Sequence, residues 1–206
     1  MAIDSGLAVT CDDLQAVGGT RILAIRAWQG GDSVTYDNAD HTITSILDTV
    51  GATATWGVYE SRIESSSLNI TGTGEGKDVL TYELTTSFFL PKMTGEQMER
   101  LVEMRDNCLM VAIFTNNDRK TSATAIPTAF DHNKIMGVSE RFQNLDDSNR
   151  NQTYARLTGV EGGTGAAFSD EIGVTVTITC KQFEAPRRYK SPGVVMNATG
   201  LSLTTA

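Results

Sequence analysis

Val79–Thr115, VLTYELTTSFFLPKMTGEQMERLVEMRDNCLMVAIFT, carries three hydrophobic patterns in succession, and their order decides the fold. In Val79–Leu90, Leu80, Tyr82, Leu84, Phe88 and Leu90 fall on one face, with Thr81, Glu83, Thr85 and Ser87 on the other. That is the two-residue period of a half-buried strand. The period then changes. Thr94 is a good N-cap with Gln97 three residues on, a capping box, and Met93 and Met98 occupy the staple positions around it. A helix is predicted from about Gly95 to Asp106, residues 95–106. Its inward stripe is Met98, Leu101, Val102 and the stem of Arg105; Glu96, Glu99, Arg100 and Glu103 face water, with Glu96 and Arg100 paired at four-residue spacing. Leu109–Thr115 (LMVAIFT) follows as a continuous apolar run, the pattern of a strand covered on both faces.

Outward from this block the chain reads as β-rich. Thr is abundant, and beside Val, Ile, Tyr and Phe it suits a pleated surface. Strands are predicted at Thr20–Trp28, Ala54–Glu60 and Arg62–Thr71, with the glycine-rich Gly72–Asp78 (GTGEGKD) as a hairpin connection. In Thr20–Trp28, Leu23, Ile25 and Ala27 share a face, while Ile22 on the other points to cover on both sides. Ser33–Val50 mixes β-prone pieces with polar turns and reads as a long loop, 33–50, holding one short strand. Further on, Asn116, Asn117 and Asp118 supply a turn, and Lys134–Val138 and Thr153–Val160 are weaker strand candidates. Val174–Cys180 (VTVTITC) alternates strictly and reads as the last core strand. The resulting organisation is an N-terminal arm (1–19), a β domain (20–185) and a C-terminal extended arm (186–206).

Composition excludes several classes. With 206 residues and 22.2 kDa, the chain is long enough to bury a core without a disulfide scaffold. At 40% hydrophobic and 20% charged residues it is neither a disordered polyelectrolyte nor a membrane protein. No apolar run is long enough for a membrane span, and the start lacks signal-peptide order, so synthesis in the cytoplasm is expected. Cys11, Cys108 and Cys180 are odd in number and widely spaced, which argues for reduced thiols and against structural zinc. A net charge of −8 disfavours sequence-specific nucleic-acid binding.

The motifs that invite a chemical reading each fail on spacing. Gly76-Lys77 lacks the flanking residues of a phosphate loop, and GTGEGK joins strand to strand. Gly162–Asp170 (GGTGAAFSD) precedes a strand, so the dinucleotide fingerprint is not met, and a flexible or interface-forming loop is the better reading. His41 and His132 are the only histidines, and no second ligand pair accompanies Asp131-His132. Cys180 lies on an apolar strand face, with Lys181 the only hint of thiolate activation. Asp12-Asp13 and Asp146-Asp147 lack a calcium ligand array. Arg187, Arg188 and Lys190 form the one basic cluster, expected to meet a neighbouring subunit's carboxylates. No catalytic residue, cofactor or metal is expected, and the chain is not read as an enzyme.

The segments WGVYESRIESSSLNITGTGEGKDVLTYELTTSFFLPKMTGEQMERLVEMRDNCLMVAIFTNND and GTGAAFSDEIGVTVTITCKQFEAP, about half the chain, resemble tail tube proteins of tailed bacteriophages. In the first, a strand pair leads into a helix of the MTGEQMERLVEM type and a strand of the LMVAIF type. In the second, a TGxAFxDxxGxTxTxTxK pattern gives way to Glu-Ala-Pro. The resemblance implies a β-sandwich or barrel-like domain with one flanking helix, assembling into rings, commonly hexameric, that stack into a conduit for DNA. Implied partners are copies of the chain, other tail or neck proteins of the virion, and genomic DNA passing without specific binding. Carboxylates lining the lumen would repel phosphate. A head decoration, neck or connector ring protein is the alternative, since these share related β folds. The long 33–50 segment and the tail after Pro186 depart from the simplest members, and inter-ring arms would account for them.

Overall fold

The computed structural model describes residues 19–29, 32–47, 55–60, 65–74, 81–91, 94–115, 133–140, 153–164, 172–189, 193–197 and 200–204. They form a mainly β fold with one helix. In chain order the strands are β1 (Thr20–Ala27), β2 (Ser33–Asp37), β3 (Thr42–Leu47), β4 (Thr55–Glu60), β5 (Ser66–Thr73) and β6 (Thr81–Pro91). After helix α1 (Gly95–Asp106) come β7 (Leu109–Thr115), β8 (Lys134–Met136), β9 (Arg156–Gly163), β10 (Gly173–Gln182), β11 (Arg188–Tyr189), β12 (Gly193–Asn197) and β13 (Gly200–Thr204).

Three sheets stack. A six-stranded sheet ordered β12-β13-β4-β1-β7-β8 lies between a four-stranded sheet, β5-β6-β10-β9, and a three-stranded sheet, β11-β3-β2. Alternation along β1 and β7 explains the layering. Ala24, Met110, Ala112 and Phe114 pack with Val34, Ile43, Ile46 and Tyr189 of the three-stranded sheet. Their neighbours Leu23, Ile25, Leu109, Val111 and Ile113 pack with Leu84, Phe88, Val176 and Ile178 of the four-stranded sheet. The continuous apolar run of β7 is therefore a strand covered on both faces, with Leu109 through Phe114 all buried.

Helix α1 closes one end of the second core, burying Leu101 and Met104. Thr94 Oγ1 accepts from the Gln97 amide and the Gln97 side chain accepts from the Thr94 amide, so the capping box forms as read. Asn107 Nδ2 donates to the Glu103 carbonyl and caps the other end. Two details of the helix reading are corrected. Met104, not Val102 or the stem of Arg105, completes the inward stripe; Val102 remains 48% exposed and the Arg105 side chain 66%. Arg100 pairs with Glu103, at 2.8 Å, rather than with Glu96. Met93 lies outside the described residues.

Two larger readings are also corrected. The described part of the stretch read as a long loop, 33–50, is the β2–β3 hairpin, with Val34, Thr42, Ile43 and Ile46 buried. A register shift between Thr35 and Tyr36 breaks its alternation, which is why the period is not visible in the sequence. The stretch from 186 on is more than an extended arm. β11 pairs in parallel with β3, and β12 and β13 form a hairpin that joins β4 at Trp56 and Thr55. Residues 1–18 lie outside the description.

Candidate assembly surface

The four-stranded sheet ends in two edge strands, β5 and β9. Its strands alternate in direction throughout: β5 against β6, β6 against β10, β10 against β9. With four strands, the two edge strands run antiparallel to each other. Among the described residues, hydrogen bonds tie one end of each edge to the six-stranded sheet. Ser66, at the start of β5, donates its hydroxyl to the Thr20 carbonyl of β1 at 2.5 Å and accepts from the Thr20 hydroxyl at 2.6 Å. Ala155, just before β9, exchanges backbone hydrogen bonds with Leu109 of β7 at 2.9 and 3.0 Å. Asn69 to Thr73 of β5 and Val160 to Gly163 of β9 are exposed.

Edge strands are ordinarily blunted by charge, proline or bulges, because their open backbone groups invite pairing. β5, SSLNITGT, has neither a charged residue nor a proline, and Ile70 on it is 44% exposed. Val160 on β9 is 47% exposed, and Ile172, just before β10, is 50% exposed. Among the described residues, both edges therefore have no further strand beside them and carry exposed branched side chains. The β9 edge carries Arg156 and Glu161, and its ladder with β10 shifts register between Thr177 and Ile178.

The outer face of the sheet carries rows of hydroxyls together with Phe89 and the charged residues Glu83, Lys181, Arg156 and Glu161. The buried face is set by Leu84, Thr86, Phe88, Leu90, Val174, Val176, Ile178 and Cys180. The residues between them point away: cross-strand rows Ser67–Ser87–Thr177 and Asn69–Thr85–Thr179. Ser67 and Ser87 hydroxyls lie 3.3 Å apart. Glu83 stands opposite Lys181.

The residues singled out in the sequence do not gather into a reactive centre among the described residues. His41 sits in the β2–β3 turn at φ 52°, its Nε2 3.2 Å from the Ala185 carbonyl oxygen. The Cys180 thiol donates to the Thr153 carbonyl at 2.9 Å, and burial pushes its pKa up to about 12, the reverse of thiolate activation. Lys181 is exposed on the opposite face of the strand. Gly72 and Gly162 lie near the ends of β5 and β9. The Gly76-Lys77 pair, His132, Cys11, Asp131, Asp12-Asp13 and Asp146-Asp147 lie outside the described residues. No group of three or more metal-ligating side chains occurs among the described residues. A groove of about 830 Å³ runs between α1 and the β1–β4 ladder, past Ile25, Gly57, Tyr59, Arg100 and Met104. Its Arg100 guanidinium is taken by Glu103.

The basic cluster is corrected in part. Arg187 is buried, and its two terminal nitrogens are held within its own chain: they reach Asn38 Oδ1 at 2.9 Å, Glu140 Oε2 at 2.5 Å and Glu184 Oε2 at 3.1 Å, with the guanidinium 4.9 Å from the Tyr36 ring centre. Sequence reasoning missed this because the three partners are 149, 47 and 3 residues away. The nearest signal was an arginine directly after Glu-Ala-Pro.

No helix among the described residues is long and apolar enough to cross a membrane. Comparison with protein-family models, with curated proteins and with solved structures finds no match to this chain.

Proposed function

We propose that the chain is a structural subunit of a phage virion, a tail tube protein that assembles with copies of itself into stacked rings around a DNA conduit. The observation that carries this reading is the pair of open, antiparallel edges on the four-stranded sheet. Set beside a second copy, β5 of one subunit and β9 of the next continue the antiparallel alternation, so the contact is head-to-tail and its repetition closes a ring. Closure removes every exposed edge of that sheet. A permanent contact of this kind buries on the order of 1,600 Å² or more. The likeness to tail tube proteins in the helix and strand segments supports the same reading. So does the net charge of −8, which keeps DNA from adhering to the surface as a whole.

The alternative is a head decoration, neck or connector ring protein, which the same edges would serve in a single ring. Electron microscopy of the purified protein separates the two: stacked rings of constant bore support the tube, isolated rings or capsid-bound density the alternative, and monomers with turnover of a small molecule oppose both. Ile70→Lys, which places a charge on the open edge of β5, is expected to leave the thermal transition intact and abolish ring formation. Unchanged rings in that variant would show that β5 is not the contact.

A further inference from the structure

Resting on the tube reading, we infer that the groove beside α1 is the seat of residues 116–132 of a second copy, so that rings stack by laying this segment along the helix of the next ring. The groove follows α1 for its full length. From Glu96 to Asn107, at about 1.5 Å per residue, it runs for about 16 Å, the length of about five extended residues. It opens where β1 finishes and β7 begins, beside Ile25, Ala27 and Leu109. β7 leads away from it and ends at Thr115, opposite Thr20, about 20 Å further along the sheet. At that far end the chain passes into residues 116–132, which lie outside the described residues. Strands of a sheet that continues around a ring run along its axis, so opposite ends of the subunit face the rings above and below. A copy displaced along the tube therefore brings the Thr115 end of one subunit to the groove of the next.

Two features of the groove point to a chain laid in it. Gly57 sits in the interior of β4, where glycine weakens a strand, and the fold around it does not require one. A Cβ there would lie 3.5 Å from the Ile25 carbonyl oxygen and 3.6 Å from the Tyr59 ring, ordinary contact distances, whereas the same atom on Gly137 would collide with backbone. The left-handed backbone that favours glycine occurs at Gly19 and Gly137, not at Gly57. A strand glycine without a cause inside its own chain marks the close approach of another backbone. The second feature is charge. Arg100 is held by Glu103 at 2.8 Å and Arg26 by Asp32 at 2.7 Å, while Glu96, exposed on the rim, has no ion pair among the described residues. The groove thus offers an open carboxylate beside a bare stretch of backbone. Residues 116–132, NNDRKTSATAIPTAFDH, match both: Arg119 and Lys120 supply the cation, and the five residues that follow, Thr121 to Ala125, are small enough to lie against Gly57.

The test has a peptide arm and an assembly arm, both on the full chain. A fluorescein-labelled peptide of residues 118–127, DRKTSATAIP, is titrated onto unassembled subunits and followed by anisotropy. Saturable binding is expected, weakened about fivefold by Glu96→Lys and abolished by Gly57→Leu, with a cooperative thermal transition retained by both variants. Should Gly57→Leu fail to fold, the exposed Glu96→Lys decides alone. Absence of binding overturns the inference, since the groove is then closed or filled by its own chain, and so does equal binding to Glu96→Lys. In the assembly arm, Arg119→Glu combined with Lys120→Glu is expected to give single rings in electron micrographs, and the further change Glu96→Lys to restore stacked tubes. Tubes from the charge-reversed chain, or single rings that Glu96→Lys leaves unstacked, overturn the inference. If the wild-type chain forms no rings at all, the tube reading fails, and the peptide titration still decides whether the groove takes this segment.

Discussion

The side-chain amide of Asn133 does for Tyr189 what a neighbouring strand would do: its Nδ2 donates to the Tyr189 carbonyl at 3.0 Å and its Oδ1 accepts from the Tyr189 amide at 2.9 Å. Both residues are buried, 3% and 1% exposed, and the Ile135 amide donates to the Arg187 carbonyl beside them. The chain from Arg187 to Tyr189 is thereby stitched into the core between β3 and β8. Asn133→Leu leaves a buried donor and acceptor without partners, at a cost of about 2–4 kcal/mol. Urea unfolding of that variant is expected to show the loss as a lower midpoint with an unchanged slope.

The same stitching predicts two different truncations. Ending the chain at 186 removes the Arg187 guanidinium and leaves Glu140 and Glu184 facing each other, and it empties the site of Tyr189. Breaking a buried pair from one side costs ~3 kcal/mol or more, so this truncation is expected to unfold at markedly lower temperature. Ending it at 192 keeps both residues and removes only β12 and β13, and is expected to retain a cooperative transition. A pair of truncations with equal melting temperatures would show that the stitched segment contributes nothing to the fold.

Two glycines give a matched comparison. Gly137, at φ +85°, would place a Cβ 2.5 Å from the Leu109 carbonyl oxygen and 2.8 Å from the Ala155 amide nitrogen, both backbone atoms that cannot step aside. Left-handed strain and overpacking together make Gly137→Ala cost roughly 3 kcal/mol. Gly95, at the first turn of α1, has nothing within 4 Å of the same position, so Gly95→Ala is expected to stabilise by about 0.5 kcal/mol. Calorimetric melting of the two variants should therefore move in opposite directions.

High pH should weaken the fold in a definite window. Burial raises the Cys180 thiol to about 12, opposed by the weaker effect of the Gly137 backbone, while an unfolded cysteine titrates near ~8.5. The neutral thiol is the form the fold accepts, so its contribution is complete below the unfolded value and is lost as pH rises from about 8.5 toward 12. Tyr36, raised chiefly by burial and next by Glu184, adds to the loss above ~10. Melting temperature is expected to fall across this range, and Cys180→Ala to flatten its lower part. An identical slope in that variant would place the titration elsewhere.

What the sequence made legible follows from how local each signal is. The helix was readable because its capping box and stripe lie within a dozen residues, and β6, β7 and β10 because alternation or its absence reports directly on whether one or both faces are covered. The β2–β3 hairpin was hidden by a bulge that makes Thr42 and Ile43 buried neighbours, which reads as noise in a two-residue period. The β11 segment was hidden for a different reason: Arg187 and Tyr189 are held by Asn38, Asn133 and Glu140, long-range partners that no periodicity encodes. The assembly surface lies between these cases. TYELTTSFF and VTVTITC showed hydroxyls on the outward positions of two strands, but that they line one continuous face with Ser67 and Asn69 needed the register.

The central claim, that β5 of one subunit meets β9 of the next, is tested most directly by cross-linking between two variants that differ only in the edge they mark. Subunits with Asn69→Cys are mixed with subunits carrying Glu161→Cys, both with Cys11 and Cys108 replaced by serine, and treated with a short bifunctional maleimide after assembly. The account predicts linked dimers in the mixture and none from either variant alone. Dimers formed by Asn69→Cys alone or by Glu161→Cys alone would reveal like edges meeting across a two-fold axis and contradict it.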